Sequence, residues 1–128
     1  EPACSGGIRA TARQGGMVRR SYIPERGDIV WIDLDPVRGH EQSGRRPAFV
    51  ISPRLYNTKS GLALVCPITS HVKGYPFEVL IEAGAIHGAI LADQLKSADW
   101  RARRVRFVSR AGAEIIREIR DKVRVLID

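Results

Sequence analysis

Hydrophobic and polar positions fall into short alternating segments from residue 28 onward. DIVWIDL (28–34) alternates, is rich in β-formers and predicts a strand closed by an Asp35-Pro36 turn. RPAFVIS (46–52) is apolar on both faces, which predicts a central strand ended by Pro53. RLYNTKSG (54–61) reads as a loop with at most one helical turn. LALVCPIT (62–69) and PFEVLIE (76–82) predict a third and a fourth strand, joined hairpin-fashion by SHVKGY. AILADQ (89–94) and RRVRFVS (103–109) predict two more. At the end of the chain the period changes to that of a helix over 111–126. Ile115, Ile116, Ile119, Val123 and Leu126 share one face, Ser109 is the expected N-cap and Glu114 stands near the first turn. Six short strands and one helix predict a mainly β domain of the α+β class, a small barrel packed by its C-terminal helix.

Composition sharpens this picture. A length of 128 residues fits one domain, on a scale of about 150 residues per domain. The longest apolar run, LALVCPI, is far short of the about 20 residues of a spanning helix, so no membrane association is expected. Residues 1–16, EPACSGGIRATARQGG, carry no hydrophobic period and read as a disordered arm or an upstream segment, with Met17 as the natural start and 17–128 as the domain. They also lack the charged-then-apolar layout of a secretory signal, and two cysteines make no disulfide framework. A cytoplasmic protein is expected.

The net charge is +7. Residues 17–100 are nearly neutral, with ten basic and nine acidic side chains, whereas residues 101–128 hold nine basic and four acidic ones. A basic excess of this kind suits a polyanion, most often nucleic acid, or is a solvated face of snorkelling arginines.

Several chemistries are disfavoured. His40, His71 and His87 have no partner at ligand spacing, and there is no C-x-x-C or H-x-x-x-H. Asp33 and Asp35 share a strand face, but a strand-end turn is the simpler account. No metal and no cofactor are therefore expected. Phosphate-loop glycine patterns are missing too. Cys66, inside an apolar strand, reads as an inert core thiol. A ribonuclease-like histidine pair, His40 with His71, stays open as a minor alternative.

Two polar clusters remain. GHEQSGRRP places Glu41, Gln42, Arg45 and Arg46 in a glycine-containing loop that runs into a strand, and Pro47 holds Arg46 extended. PITSHVKGYPF places Thr69 and Ser70 at a strand end, followed by Lys73, Tyr75 and Phe77. Hydroxyls, a cation and aromatics on one connection suit phosphate contacts and base stacking. They equally suit a polar connection with aromatic core anchors, and for Phe77 the core is favoured.

GDIVWIDLDPVRGHEQSGRRPAFVISP, CPITSHVKGYPFEV and LADQLKSADWRAR together resemble the signature blocks of the MazF/PemK toxins of bacterial toxin–antitoxin systems, and most of all the MazF branch. The resemblance runs from about Met17 to Asp128. It implies a homodimer of small SH3-like barrels of the CcdB/PemK type. It implies a metal- and ribosome-independent endoribonuclease that cuts single-stranded RNA at a short base sequence and leaves a 2′,3′-cyclic phosphate and a 5′-hydroxyl. It also implies a MazE-type antitoxin as inhibitor. The family's catalytic arginine and threonine fall on Arg46 and Thr69, and the glutamate tied to activity falls on Glu41. Gln42, Arg45, Ser70, Lys73, Tyr75, Phe77, Gln94, Lys96 and Arg101 are the expected RNA contacts. A gyrase poison of the CcdB kind is the main rival, and the R-P and P-x-T positions argue against it. A basic binding module without catalysis and a degenerate toxin are further alternatives.

Overall fold

The structure, a computed structural model, describes residues 22–33 and 45–128. The proposed arm at 1–16, the start at Met17 and the loop residues Asp35, His40, Glu41 and Gln42 lie outside the described residues. The elements in order are β1 (Asp28–Asp33), β2 (Arg45–Val50), α1 (Arg54–Ser60), β3 (Leu62–Thr69), β4 (Glu78–Ala83), β5 (Ile86–Leu91), a 3₁₀ turn (Ala92–Gln94), β6 (Lys96–Asp99), β7 (Arg106–Arg110) and α2 (Ala113–Ile127).

The strands hydrogen-bond in the order β4-β5-β3-β2-β1-β7, with β6 also paired to β3. Every pairing is antiparallel. β3 is the longest strand and is shared: Leu62–Val65 pair with β6, and Ile68–Thr69 pair with β5. The sheet curls into a half-barrel around α2.

Strand alternation explains the two cores. Ile29, Phe49, Cys66, Ile68, Ile81 and Ile90 point inward to meet Ile115, Ile116, Ile119 and Val123 of α2. Their neighbours Val30, Ile32, Ala48, Val50 and Val65 point the other way and pack with Ala98 and Trp100. A strand buried on both faces must be apolar on both, which is the pattern that marked β2 as central.

Four expectations need correction. α1 is a true helix of seven residues where a loop was expected. Its N-terminus has no side-chain cap of its own; instead Glu25 Oε1 accepts the Arg54 amide at 2.8 Å. Burial opposes the charge on Glu25, but the Arg54 and Arg26 amides outweigh it and hold the carboxyl below its ordinary range. Second, β6 is a seventh strand, and the expected strand over 89–94 is really the end of β5 and the 3₁₀ turn. Third, the 70–77 connection is no hairpin: β5 lies between β3 and β4. Fourth, α2 begins at Ala113 with Gly112 as N-cap, while Ser109 belongs to β7, and Leu126 stays 47% exposed.

Asn57 is the polar pin of this frame. It is fully buried. Its Nδ2 donates to the carbonyls of Pro24 (2.8 Å) and Ser52 (3.1 Å), and its Oδ1 accepts from Ser52 Oγ at 2.5 Å. Its own carbonyl accepts the Trp100 indole at 3.0 Å. Asn57→Ala strands several of these buried groups, each worth about 1–3 kcal/mol, so unfolding in urea should show roughly 3 kcal/mol lost. A loss under about 1 kcal/mol would show that water replaces the amide there.

Candidate active site

Four adjacent strands, β1, β2, β3 and β5, build one cleft of about 250 Å³. Trp31 of β1 with Arg46 and Pro47 of β2 form one wall, Ile68, Thr69 and Ser70 the floor, and Ala85, Ile86 and His87 the opposite wall. Arg46 and Thr69 are 23 positions apart in sequence yet share this cleft because β2 and β3 are paired neighbours.

Arg46 sits opposite Ile32 in the ladder, and its successor Pro47 sits opposite Trp31. No partner among the described residues engages the Arg46 guanidinium, which leaves its forked donors for a ligand. Arg45 differs: it pairs with Asp33 at 3.6 Å, opposite which it lies in register.

Thr69 ends β3. Its Oγ1 accepts the backbone amide of His71 at 3.0 Å, a local turn that fixes the side chain. A hydroxyl has one donor and two acceptor sites, so this contact spends an acceptor and leaves the O–H to donate. Behind Thr69, Gly88 of β5 makes a close approach: a Cβ there would stand 2.0 Å from the Thr69 carbonyl oxygen. Only glycine lets β5 press this tightly against the strand end.

Ser70 also lines the cleft. Among the described residues, the other predicted contacts lie outside its lining. Lys73 and Tyr75 are exposed on the 70–77 connection, with the ammonium 5.7 Å from the ring centre. The Lys73 and Gly74 amides are held by Glu78. Phe77 packs against the inner core, the alternative already favoured for it. Gln94 and Lys96 are exposed around the 3₁₀ turn and β6, and Arg101 stacks on Trp100 at 4.9 Å.

Two lining residues, Trp31 and His87, were not singled out from sequence. Trp31 was legible only as a strand residue, and His87 as one histidine without a partner. Trp31 is also where the basic C-terminal excess reaches the site, because Arg106 of β7 lies opposite it. Cys66 is buried, and that burial, helped by the Asp93 charge, pushes its thiol up to about 12, which suits an inert core residue. Among the described residues no group of three His, Cys, Asp or Glu side chains could hold a metal ion.

A second groove, of about 590 Å³, runs between α2 and the sheet and is lined mainly by apolar side chains, with Arg26, Arg120 and Arg124 among them. No helix among the described residues is long and apolar enough to cross a membrane.

Residues 25–127 match the model of the PemK-like, MazF-like toxins of type II toxin–antitoxin systems. The chain belongs to this family. Among MazF proteins, the endoribonuclease toxin MazF of Escherichia coli K12 is 47% identical over 111 residues, 87% of this chain and 99% of that one. The crystal structure of MazF from Deinococcus radiodurans is 46% identical, with a TM-score of 0.75, covering 84% of this chain and 98% of that one. A crystal structure of the MazE–MazF complex from the same organism matches at 42% identity and a TM-score of 0.74, covering 84% and 97%. The expected PemK-type architecture, a curled β-sheet with a C-terminal helix, is thus the fold of solved MazF structures.

Proposed function

We propose that this chain is the toxin of a type II toxin–antitoxin system: an endoribonuclease that cuts single-stranded RNA, mRNA above all, at a short base sequence. The reading rests on one observation, the convergence of Arg46 and Thr69 in a single cleft. The relatives' names as endoribonucleases support it. So does the basic excess, which attracts RNA over a long range.

RNA carries its own nucleophile, so neither a metal ion nor a protein nucleophile is required. The 2′-oxygen attacks the adjacent phosphorus, the bond to the 5′-oxygen breaks, and the products are a 2′,3′-cyclic phosphate and a 5′-hydroxyl. Arg46 neutralises charge that grows on the phosphoryl oxygens. Thr69 donates its O–H to one of them. An arginine is a poor base, so Glu41, the nearest carboxylate in sequence to Arg46, takes the 2′ proton. The remaining predicted contacts, Gln42, Arg45, Ser70, Lys73, Tyr75, Gln94, Lys96 and Arg101, extend RNA binding beyond the cleft.

The protein acts as a cytoplasmic homodimer and is silenced by a MazE-type antitoxin. The MazE–MazF complexes of the D. radiodurans relative support such a partner. Exposed Leu55, Tyr56 and Ile127, beside the apolar groove, give protein partners a surface to cover.

The test is incubation of the purified chain with a long unstructured RNA plus EDTA, with mapping of the cut ends. Cleavage at one short motif with cyclic-phosphate ends is expected. No cleavage, with binding to DNA gyrase instead, would overturn the reading.

A further inference from the structure

The connection from β6 to β7 and the first residue of β7 carry Arg101, Arg103, Arg104 and Arg106, with no acidic side chain among them. The turn is tied at every step. Asp99 Oδ1 accepts the amides of Arg101 (3.2 Å) and Ala102 (3.1 Å), and the Asp99 carbonyl accepts that of Arg103 at 3.0 Å. The Arg101 carbonyl accepts the Arg104 amide at 3.3 Å, and the Trp100 carbonyl that of Val105 at 3.2 Å. Within this turn Arg104 stands at φ 55°, in the left-handed region where glycine is the default. The other described residues with positive φ are Gly27, Gly61, Gly74 and Gly84. An arginine held where glycine would be relaxed points to a use for its side chain, since the turn alone would be better made without one.

Two sets of contacts fix this turn beside the cleft. Arg103 Nη1 donates to the Asp33 carbonyl at 2.8 Å, and the Arg103 carbonyl accepts the Asp33 amide at 3.1 Å, which docks the turn on the end of β1. In the β1–β7 ladder Arg106 lies directly opposite Trp31, so both side chains stand on one face of the sheet, and Trp31 lines the cleft. The strand order β3-β2-β1-β7 thus runs from Thr69 and Arg46, across Trp31, to Arg106 at the sheet edge. Two of the four arginines are engaged: Arg103 on Asp33, and Arg101 over the Trp100 ring at 4.9 Å. Arg104 and Arg106 are exposed and meet no carboxylate among the described residues. The two carboxylates closest in the ladder and the turn are already in use, Asp33 by Arg45 and Asp99 by the turn amides.

We propose that Arg104 and Arg106 form a phosphate-binding rail that carries the RNA strand out of the cleft and over β1 to the sheet edge at β7. The assignment rests on the endoribonuclease reading and adds to it the path of the substrate. The surface suits a phosphodiester chain better than a protein. Guanidinium forks match phosphate oxygens. Residues 101–104 present arginines and one alanine, with no large apolar side chain for a protein partner to bury, whereas the apolar groove lies elsewhere, between α2 and the sheet. Phe107, which is exposed, belongs to the other face of β7, opposite Val30, with its ring against Tyr22. Phosphate contacts hold any base sequence, so the rail adds affinity and register but no base preference.

Counterion release reads such contacts directly. The probe is an RNA that spans the mapped cut site with a 2′-deoxy sugar at that one position, so that it binds and is not cut. Arg104→Gly should bind it several-fold more weakly at low salt, and the slope of log K against log[salt] should become shallower by about 0.7, the value of one phosphate contact on a single strand. The double variant Arg104→Gly/Arg106→Gln should lose about 1.4. Arg104→Gly should not melt earlier than the parent, because glycine relaxes the backbone there, and this separates a lost contact from a damaged fold. Arg104→Lys should keep the parental slope. So should Arg117→Gln, which removes one charge from the exposed face of α2. The assignment is overturned if the double variant keeps the parental slope, or if Arg117→Gln shifts it as much as Arg104→Gly does, which would leave only overall charge. It is also overturned if RNA binding is unchanged and binding of an oligoglutamate peptide weakens instead, since the surface then serves an acidic protein. A parent that cuts RNA with these slopes unmoved overturns the rail alone. A parent chain that cuts no RNA overturns the endoribonuclease reading itself, and the rail with it.

Discussion

Arg46→Ala is expected to cleave RNA about a thousandfold more slowly at saturating substrate, roughly 4 kcal/mol of transition-state stabilisation. The argument starts from its surroundings. Arg46 has no described partner to release, so removal costs the fold little. Its effect is felt where charge grows on the phosphoryl oxygens, and a donor aimed at growing charge acts mainly on kcat. Binding should weaken by only a few-fold, because the ground-state phosphate has other cations to meet. Arg46→Lys should recover little, since a point charge does not reproduce the fork. Single-turnover rates and filter binding on the same RNA separate the cases. A module that only binds RNA would show the reverse pattern, with weaker binding and no rate to lose.

The first three strands were legible because each is a run whose apolar positions meet buried faces. β2 and β3 feed two cores at once, and their sequences are apolar on both sides. β6 was not legible because KSAD has one apolar residue in four, Ala98, and takes its strand state from pairing with β3. α1 escaped for a related reason. Its only buried residue is polar, so no apolar face marks RLYNTKS as a helix. The place of β5 between β3 and β4 runs against the tendency of successive strands to pair, and no local signal reports it. Arg46 and Thr69 came from the family resemblance and were then found in one cleft. His87 could not be found that way: AIHGAI reads as a solitary polar residue in an apolar stretch, and only the register with Glu82 and the approach at Gly88 give it neighbours.

Gly88→Ala is expected to damage catalysis more than stability. A Cβ at position 88 would lie 2.0 Å from the Thr69 carbonyl oxygen and 2.9 Å from its carbon. Both are backbone atoms, so no side-chain rotation relieves the clash, and the end of β3 must shift away from β5. Overpacking of this kind costs about 1–3 kcal/mol, visible as a lower melting temperature. The same shift carries Thr69 Oγ1 off the phosphate. Displacement of a catalytic group by about 1 Å costs on the order of 100-fold in rate. Gly61→Ala is the control. Gly61 caps α1 at φ 75° with nothing near its missing Cβ, so alanine there strains the backbone by about 1 kcal/mol without touching the cleft. Gly61→Ala should melt earlier and cut RNA at the parent rate; Gly88→Ala should melt earlier and cut it about a hundredfold more slowly. Equal cleavage rates for the two variants would show that the strand end yields without moving Thr69, and that the tight contact between β5 and β3 serves packing alone.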